Sequence, residues 1–267
     1  MSTIKELVNL DGRRALITGA AGGLGKAIAE TLAELGASLV LVDREGSDFD
    51  ALSKLITQRW EVEVECHACD LEQQSQRNEL IGSLNHDGRG LNILINNAAF
   101  VGASDLEGWA EPFELQTVDT WRRVLEVNLT AVFDLCQGFA PLLKVGMGSS
   151  IINIASIYGL YGPDWSMYEG TNISNPAAYG ASKGGLIQLS RWLATTISPH
   201  VRVNTISPGG IFRGQSDVFV RRYELKTPLG RMATEDDLRG AVAYLASDLS
   251  KYVTGQNFSI DGGWGCW

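Results

Sequence analysis

The chain is expected to fold as an α/β domain: a doubly wound parallel sheet of about seven strands with helices on both faces. Three observations predict it. Short apolar runs rich in β-branched residues alternate with helix-length segments, which implies strand–helix–strand crossovers. A chain of 267 residues that is 45% hydrophobic buries a full core and fits one large domain better than two small ones. A glycine-rich segment, T-G-A-A-G-G-L-G at 18–25, follows the first apolar run, and a helix begins within it.

The elements follow in order. R-R-A-L-I-T (13–18) reads as a strand, with a helix from about Leu24. S-L-V-L-V-D (38–43) precedes a helix from about Asp48, and V-E-V-E-C (62–66) one from about Glu72. L-N-I-L-I-N (91–96) leads to a helix around Trp121 to Leu143, and S-I-I-N-I-A (150–155) to one from about Pro176 to Ile197. V-R-V-N-T-I (201–206) precedes a helix that Thr234 caps, with Glu235, Asp236 and Asp237 in its first turn, and N-F-S-I (257–260) is the last strand. In such a sheet, ligands bind at the carboxyl ends of the strands.

Two irregular stretches break the rhythm, about Tyr158 to Asn175 and Pro208 to Met232. Both follow strands and overhang the expected crevice, so 157–178 and 208–232 are read as substrate loops. The first holds Tyr161, Asp164, Trp165, Tyr168, Glu169 and Asn172. Repeats, low-complexity tracts and linkers are not seen.

Composition narrows the function. A net charge of −9 and a pI near 4.9 argue against nucleic-acid or anionic-membrane partners, and Arg221 with Arg222 is too small a basic surface. The N-terminus lacks an apolar signal core and no stretch approaches the ~20 apolar residues of a membrane span, so a soluble, cytoplasmic protein is expected. Cys66, Cys69, Cys136 and Cys266 are expected as reduced, buried or half-buried thiols. C-H-A-C at 66–69 has the spacing of half a zinc site without a second pair, so no metal is expected.

Two features carry chemistry. Glycines at 18–25 let a backbone approach a pyrophosphate, and a helix N-terminus there offers unpaired N–H groups to the anion. Asp43 ends the second strand 18 residues beyond Gly25, where a carboxylate accepts hydrogen bonds from a ribose and repels a 2′-phosphate. NAD is therefore favoured over NADP, with Arg44 the counter-argument. Tyr179 and Lys183, four apart in Y-G-A-S-K, share one helix face, and an ammonium beside a phenol stabilises the phenolate.

Together with D-L at 70–71, N-N-A-A at 96–99, Asn128, Ser156, P-G at 208–209 and D-G-G-W at 261–264, this order of motifs resembles the short-chain dehydrogenase/reductase family over essentially the whole chain. Length places it with the compact, single-domain, Rossmann-type branch, residues 1–267 forming one dinucleotide-binding domain. The resemblance implies Tyr179 as acid/base, Lys183 as its pKa-lowering partner and nicotinamide-ribose ligand, Ser156 as donor to the reacting oxygen, and Asn128 as holder of a relay water. It implies dinucleotide contacts from Gly19, Gly23, Leu24, Gly25, Asp43, Asp70, Leu71, Asn97 and Ile211. The reaction implied is interconversion of a secondary alcohol and a ketone.

Two departures stand out. Arg213 replaces a frequent threonine and is open to three readings: a pyrophosphate ligand, an anionic-substrate ligand or a solvated side chain. The 22 residues between Ser156 and Tyr179 exceed the family's usual dozen or so, so the active-site wall is remodelled. Tyr158, Trp165, Tyr168 and Arg213 are its candidate substrate contacts. Aromatic faces with acidic and amide neighbours suit a sugar or polyol, and the loop phrase Y-E-G-T-N-x-S-x-P-x-x-Y resembles members linked to bacterial surface-sugar modification. A 3-oxoacyl thioester is the rival substrate. A nucleotide-binding regulator without chemistry and a structural subunit are the rivals of another class. The resemblance also implies a homo-oligomer, tetramer or dimer, with Trp264 and Trp267 in an apolar tail suited to an interface.

Overall fold

The computed structural model describes residues 1–267 apart from 102, 103, 105 and 172, so Asn172 of the first loop lies outside the described residues. A short helix α1 (Ile4–Val8), closed by a Thr3/Glu6 capping box, precedes the alternating series. The series runs β1 (Arg14–Thr18), α2 (Gly23–Glu34), β2 (Ser38–Asp43), α3 (Phe49–Trp60), β3 (Val64–Ala68), α4 (Gln74–His86) and β4 (Ile93–Asn96). It continues with α5 (Val118–Leu125), α6 (Ala131–Val145), β5 (Ser149–Ile154), α7 (Ala177–Thr196), β6 (Val201–Pro208), α8 (Asp217–Lys226), α9 (Asp236–Ala246) and β7 (Asn257–Ile260).

The seven strands form one parallel sheet in the order β3-β2-β1-β4-β5-β6-β7. The order reverses between β1 and β4, and the strand ends there splay the following loops apart and open a crevice. Neighbouring strand residues feed opposite faces. Leu16, Val40, Leu94, Ile151 and Val203 join one core layer, with Leu135 and Phe139 of α6 and Leu186 of α7. Ile17, Leu41, Ile95, Ile152 and Ile206 join the other, with Ile28 of α2 and Val242 of α9. Burial on both faces is why the strands read as nearly continuous apolar runs.

Several details differ from the sequence reading. The single helix expected around Trp121 to Leu143 is two helices joined by a π turn, Glu126–Thr130, which carries Asn128. The stretch from Pro208 to Met232 contains a full helix, α8, whose Phe219 and Tyr223 are buried four residues apart on one face. Helix α9 begins at Asp236 with Glu235 at the cap, because Asp237 reaches back to bond the Thr234 N–H at 2.8 Å and makes Thr234 the donor instead of the cap. Cys69 and Cys136 are buried, but Cys66 and Cys266 are exposed, the first on the edge strand β3 and the second one residue before the end of the sequence. Trp264 is buried against Tyr158, Tyr161 and Tyr223 of its own chain, whereas Trp267 is exposed. No helix among the described residues is long and apolar enough to cross a membrane.

Candidate active site

A cavity of about 1120 Å³ opens over the carboxyl ends of β1, β2, β4, β5 and β6. Its floor at one end is the glycine segment. Helix α2 starts at Gly23 behind Gly22, which has no side chain to cap it, so its first N–H groups remain available to an anion. A Cβ on Gly25 would lie 2.0 Å from the Gly19 carbonyl oxygen, so the helix approaches β1 at a distance only glycine permits.

The residues expected to meet a ribose first hold this segment in shape. One Asp43 carboxylate oxygen accepts from the Ala21 N–H at 2.9 Å and the other from the Arg44 N–H at 2.8 Å, so Arg44 contacts Asp43 through its main chain. Asn97 donates its amide to the Thr18 and Gly19 carbonyls, both at 3.0 Å, clamping β4 to the start of the loop. Asp70 is folded into an acidic turn, accepting from the Glu72 N–H at 3.0 Å, and Leu71 beside it is buried with its carbonyl bound by Arg77. Ile211 borders the same cavity and pairs with Ala233 as an isolated parallel bridge. An uncapped helix end, a cradle that one added methyl group would fill, and a carboxylate at the end of β2 are together the donor set of a dinucleotide site, and the residues present fit that group.

Tyr179, Ser156 and Lys183 line the same cavity. Helix α7 begins behind Pro176 and presents Tyr179 in its first turn and Lys183 one turn on. The turn after Ser156 packs directly on that helix: a Cβ on Gly159 would lie 2.7 Å from the Lys183 carbonyl carbon. Lys183 is covered there, its Nζ donating to the Ile154 carbonyl at 2.8 Å with the residue only 2% exposed. Burial without a carboxylate partner holds its ammonium down to about 7.

The phenol of Tyr179 behaves differently from the sequence expectation. Burial raises it above its ordinary value, and the opposing influence is the nearby Ser156 hydroxyl, with a smaller contribution from the Arg213 charge. Lys183 Nζ lies 5.8 Å from the Tyr179 ring centroid and is engaged with Ile154, so it does not lower that phenol in this arrangement. Asn128 is 1% exposed. Its amide nitrogen donates to the Phe100 carbonyl at 3.0 Å and to Ser182 Oγ at 3.1 Å, and its oxygen accepts from the Phe100 N–H at 2.8 Å. Ser182 in turn donates to the Tyr179 carbonyl, so Asn128 ties the π turn to the helix bearing the tyrosine.

The remodelled wall is assembled from both irregular stretches. Tyr158 and Tyr168 border the cavity with their hydroxyls 2.6 Å apart. Trp165 is more than half exposed and borders a neighbouring groove with Phe113, outside this cavity. Arg213 lies at the cavity edge over Gly23 and is paired with Glu235 at 3.2 Å. The acidic residues of the loop face away from the wall: Asp164 is bound by Lys226 of α8 and held at about 2, while Glu169 is exposed. Sequence reasoning missed Asn175, Phe219, Tyr223 and Met232, all on the cavity. The four-residue spacing of Phe219 and Tyr223 was the available signal. No group of metal-ligating side chains occurs among the described residues.

Comparison with known proteins agrees with this architecture. The family profile described as Enoyl-(Acyl carrier protein) reductase matches residues 19–265. A tropinone reductase homolog of Arabidopsis thaliana is 32% identical over 266 residues, covering 96% of this chain and 91% of its own. Among solved structures, a short chain dehydrogenase from Leptospira borgpetersenii with bound NAD+ is 34% identical at a TM-score of 0.84, covering 99% of this chain and 96% of that one. A gluconate 5-dehydrogenase from Burkholderia cenocepacia in complex with NADP and tartrate is 27% identical at a TM-score of 0.87, covering 99% and 100%. With the parallel sheet, the glycine cradle and the serine, tyrosine and lysine on one cavity, these matches establish that the chain belongs to the short-chain dehydrogenase/reductase family of alcohol/ketone oxidoreductases.

Proposed function

We propose that the chain interconverts a secondary alcohol and a ketone on a sugar, polyol or related small molecule, with NAD as its preferred dinucleotide. The observation that carries this reading is the meeting of Tyr179, Ser156 and Lys183 on the cavity that the glycine cradle floors. When bound in that cradle, a nicotinamide dinucleotide supplies or takes up the hydride. In the oxidative direction Tyr179 Oη accepts the hydroxyl proton while Ser156 Oγ donates to the same oxygen as it becomes a carbonyl. Lys183, whose ammonium burial holds well below its ordinary range, takes part in passing that proton toward solvent. Asn128 keeps the relay water through its main chain or its remaining amide lone pair, since both amide hydrogens are spent.

Asp43 supports NAD, because its carboxylate at the end of β2 repels a 2′-phosphate. Asp70, Leu71, Asn97 and Ile211 form the adenine, ribose and carboxamide surroundings. A thioester remains the competing substrate, and turnover of one with no turnover of polyols would displace the sugar reading. Four free cysteines support a reducing, cytoplasmic setting. Exposed Trp121, Phe133 and Trp192 on α5, α6 and α7 support self-assembly through those helices.

The test is to follow nicotinamide absorbance with NADH and NADPH against a panel of sugars, polyols, simple ketones and a 3-oxoacyl thioester. Wild type is expected to turn over a polyol-class ketone faster with NADH, and Tyr179→Phe to lose at least ~100-fold in kcat while still binding dinucleotide. A Tyr179→Phe variant with full activity would refute the assignment of the acid/base.

A further inference from the structure

We infer that Tyr158 and Tyr168 form a donor subsite for a second oxygen of an uncharged substrate, next to the carbon that reacts. This rests on the oxidoreductase reading above and narrows its substrate class to hydroxy ketones and the diols they are made from.

The argument is one of hydrogens. The two phenols share a hydrogen bond at 2.6 Å, and Asn175 Nδ2 reaches Tyr168 Oη at 3.5 Å. Two hydroxyls carry two hydrogens, and the shared bond uses one. If Tyr158 donates, the hydrogen of Tyr168 is left over; if Tyr168 donates, that of Tyr158 is. Among the described residues neither hydroxyl has another protein acceptor, and both side chains border the cavity that holds Tyr179 and Ser156. A half-buried donor of this kind, facing the cavity, favours a ligand that brings an acceptor.

The pair is fixed in place. Tyr158 meets the edge of Trp264 at 6.1 Å, Tyr168 packs on Phe219 at 5.5 Å, and Ile157, Met167 and Met232 fill the space around them. Arg222 of α8 donates to the Glu169 carbonyl at 2.6 Å and holds the loop from outside. The side chains packed on the pair are uncharged, Asp164 is taken by Lys226, Glu169 is turned to solvent, and Arg213 sits at the cavity edge over Gly23, paired with Glu235. A carboxylate or phosphate at this position would find phenols and thioethers, which do not compensate a buried charge. A neutral hydroxyl, carbonyl or ether oxygen is matched.

The test compares kcat/KM for butanone, acetoin and the matching fluoroketone with NADH and NADPH on wild type, Tyr158→Phe, Tyr168→Phe and double variants at both positions, beside calorimetric titration of acetoin into dinucleotide-loaded protein. Fluorine activates the adjacent carbonyl as a hydroxyl does yet accepts hydrogen bonds poorly, so it separates reactivity from recognition. Wild type is expected to favour acetoin over the fluoroketone by about tenfold, each single variant to keep one free phenol hydrogen and with it part of that preference, and the double variants Tyr158→Phe/Tyr168→Phe and Tyr158→Met/Tyr168→Phe, with wild-type circular dichroism, to bring the ratio within about twofold of one. Two double variants are used so that misfolding of one leaves the other to decide. A wild-type ratio near one, or a ratio preserved in the folded double variants, overturns the subsite and leaves the oxidoreductase intact. Acetoin binding that weakens in the double variants without any wild-type turnover supports the subsite and counts against the proposed reaction. If acetoin is neither bound nor turned over, the subsite is overturned.

Discussion

Replacing Lys183 by Met removes an ammonium that the fold holds in an unfavourable place, and the variant is expected to be inactive yet more stable than wild type. The native group is held at about 7, against an ordinary value of 10.5. At about 1.4 kcal/mol per factor of ten, that difference corresponds to about 5 kcal/mol of lost stability wherever the lysine is charged in both states. Losing the bond to the Ile154 carbonyl offsets about 1–2 kcal/mol, leaving a net gain of about 3 kcal/mol below neutrality. As pH rises from 7 toward 10.5 the native lysine gives up its proton before the unfolded one does. The unfolded chain then binds more protons, so wild-type stability climbs with pH and the advantage of the variant shrinks. Urea denaturation of both proteins at about pH 6 and about pH 9 reads this directly, with the burial cost falling to about 2 kcal/mol at the higher pH. A methionine variant less stable than wild type at the lower pH, or a gap that does not narrow, would refute the reading of Lys183 as a buried cation without a carboxylate partner.

Three further outcomes are expected. Gly25→Ala places a methyl group 2.0 Å from the Gly19 carbonyl, so the cradle must shift; dinucleotide affinity in a fluorescence titration should fall by at least about tenfold. Asp43→Asn keeps an acceptor for the Ala21 N–H but drops the charge, and the ratio of kcat/KM for NADPH over NADH should rise by about tenfold; an unchanged ratio removes Asp43 as the selector. Phe139→Ala empties part of the core layer beneath α6 and should cost about 3–5 kcal/mol in urea denaturation, with kcat per folded molecule unaltered.

The sheet was legible because its central strands are apolar and β-branched, a signal that survives without tertiary knowledge; S-L-V-L-V-D matches its strand at both ends, and the other runs match theirs to within two residues. Helix α8 was not, since it sits between Gly214 and Pro228 in a stretch whose buried side is mostly Phe219 and Tyr223. The π turn was hidden because it is a matter of hydrogen-bond count, which the side chains of E-V-N-L-T do not announce. Tyr179 and Lys183 could be placed on one helix from spacing alone. That the lysine would end on the Ile154 carbonyl, 29 residues back, is a matter of how the helix docks on the end of β5, which spacing along the helix does not report. Charges were visible in the first loop but their direction was not, as Asp164 is claimed by a lysine 62 residues away.

The clasp between the first loop and α8 has an evolutionary consequence. Lys226 grips Asp164, Arg222 grips the Glu169 carbonyl, and Phe219 closes the seam between the two segments. Swapping either segment alone into a relative would strand an aromatic seam in water, whereas exchanging both would move an intact half of the vestibule. A change to this wall is therefore expected to need compensating changes in both segments together, because each is the other's packing partner.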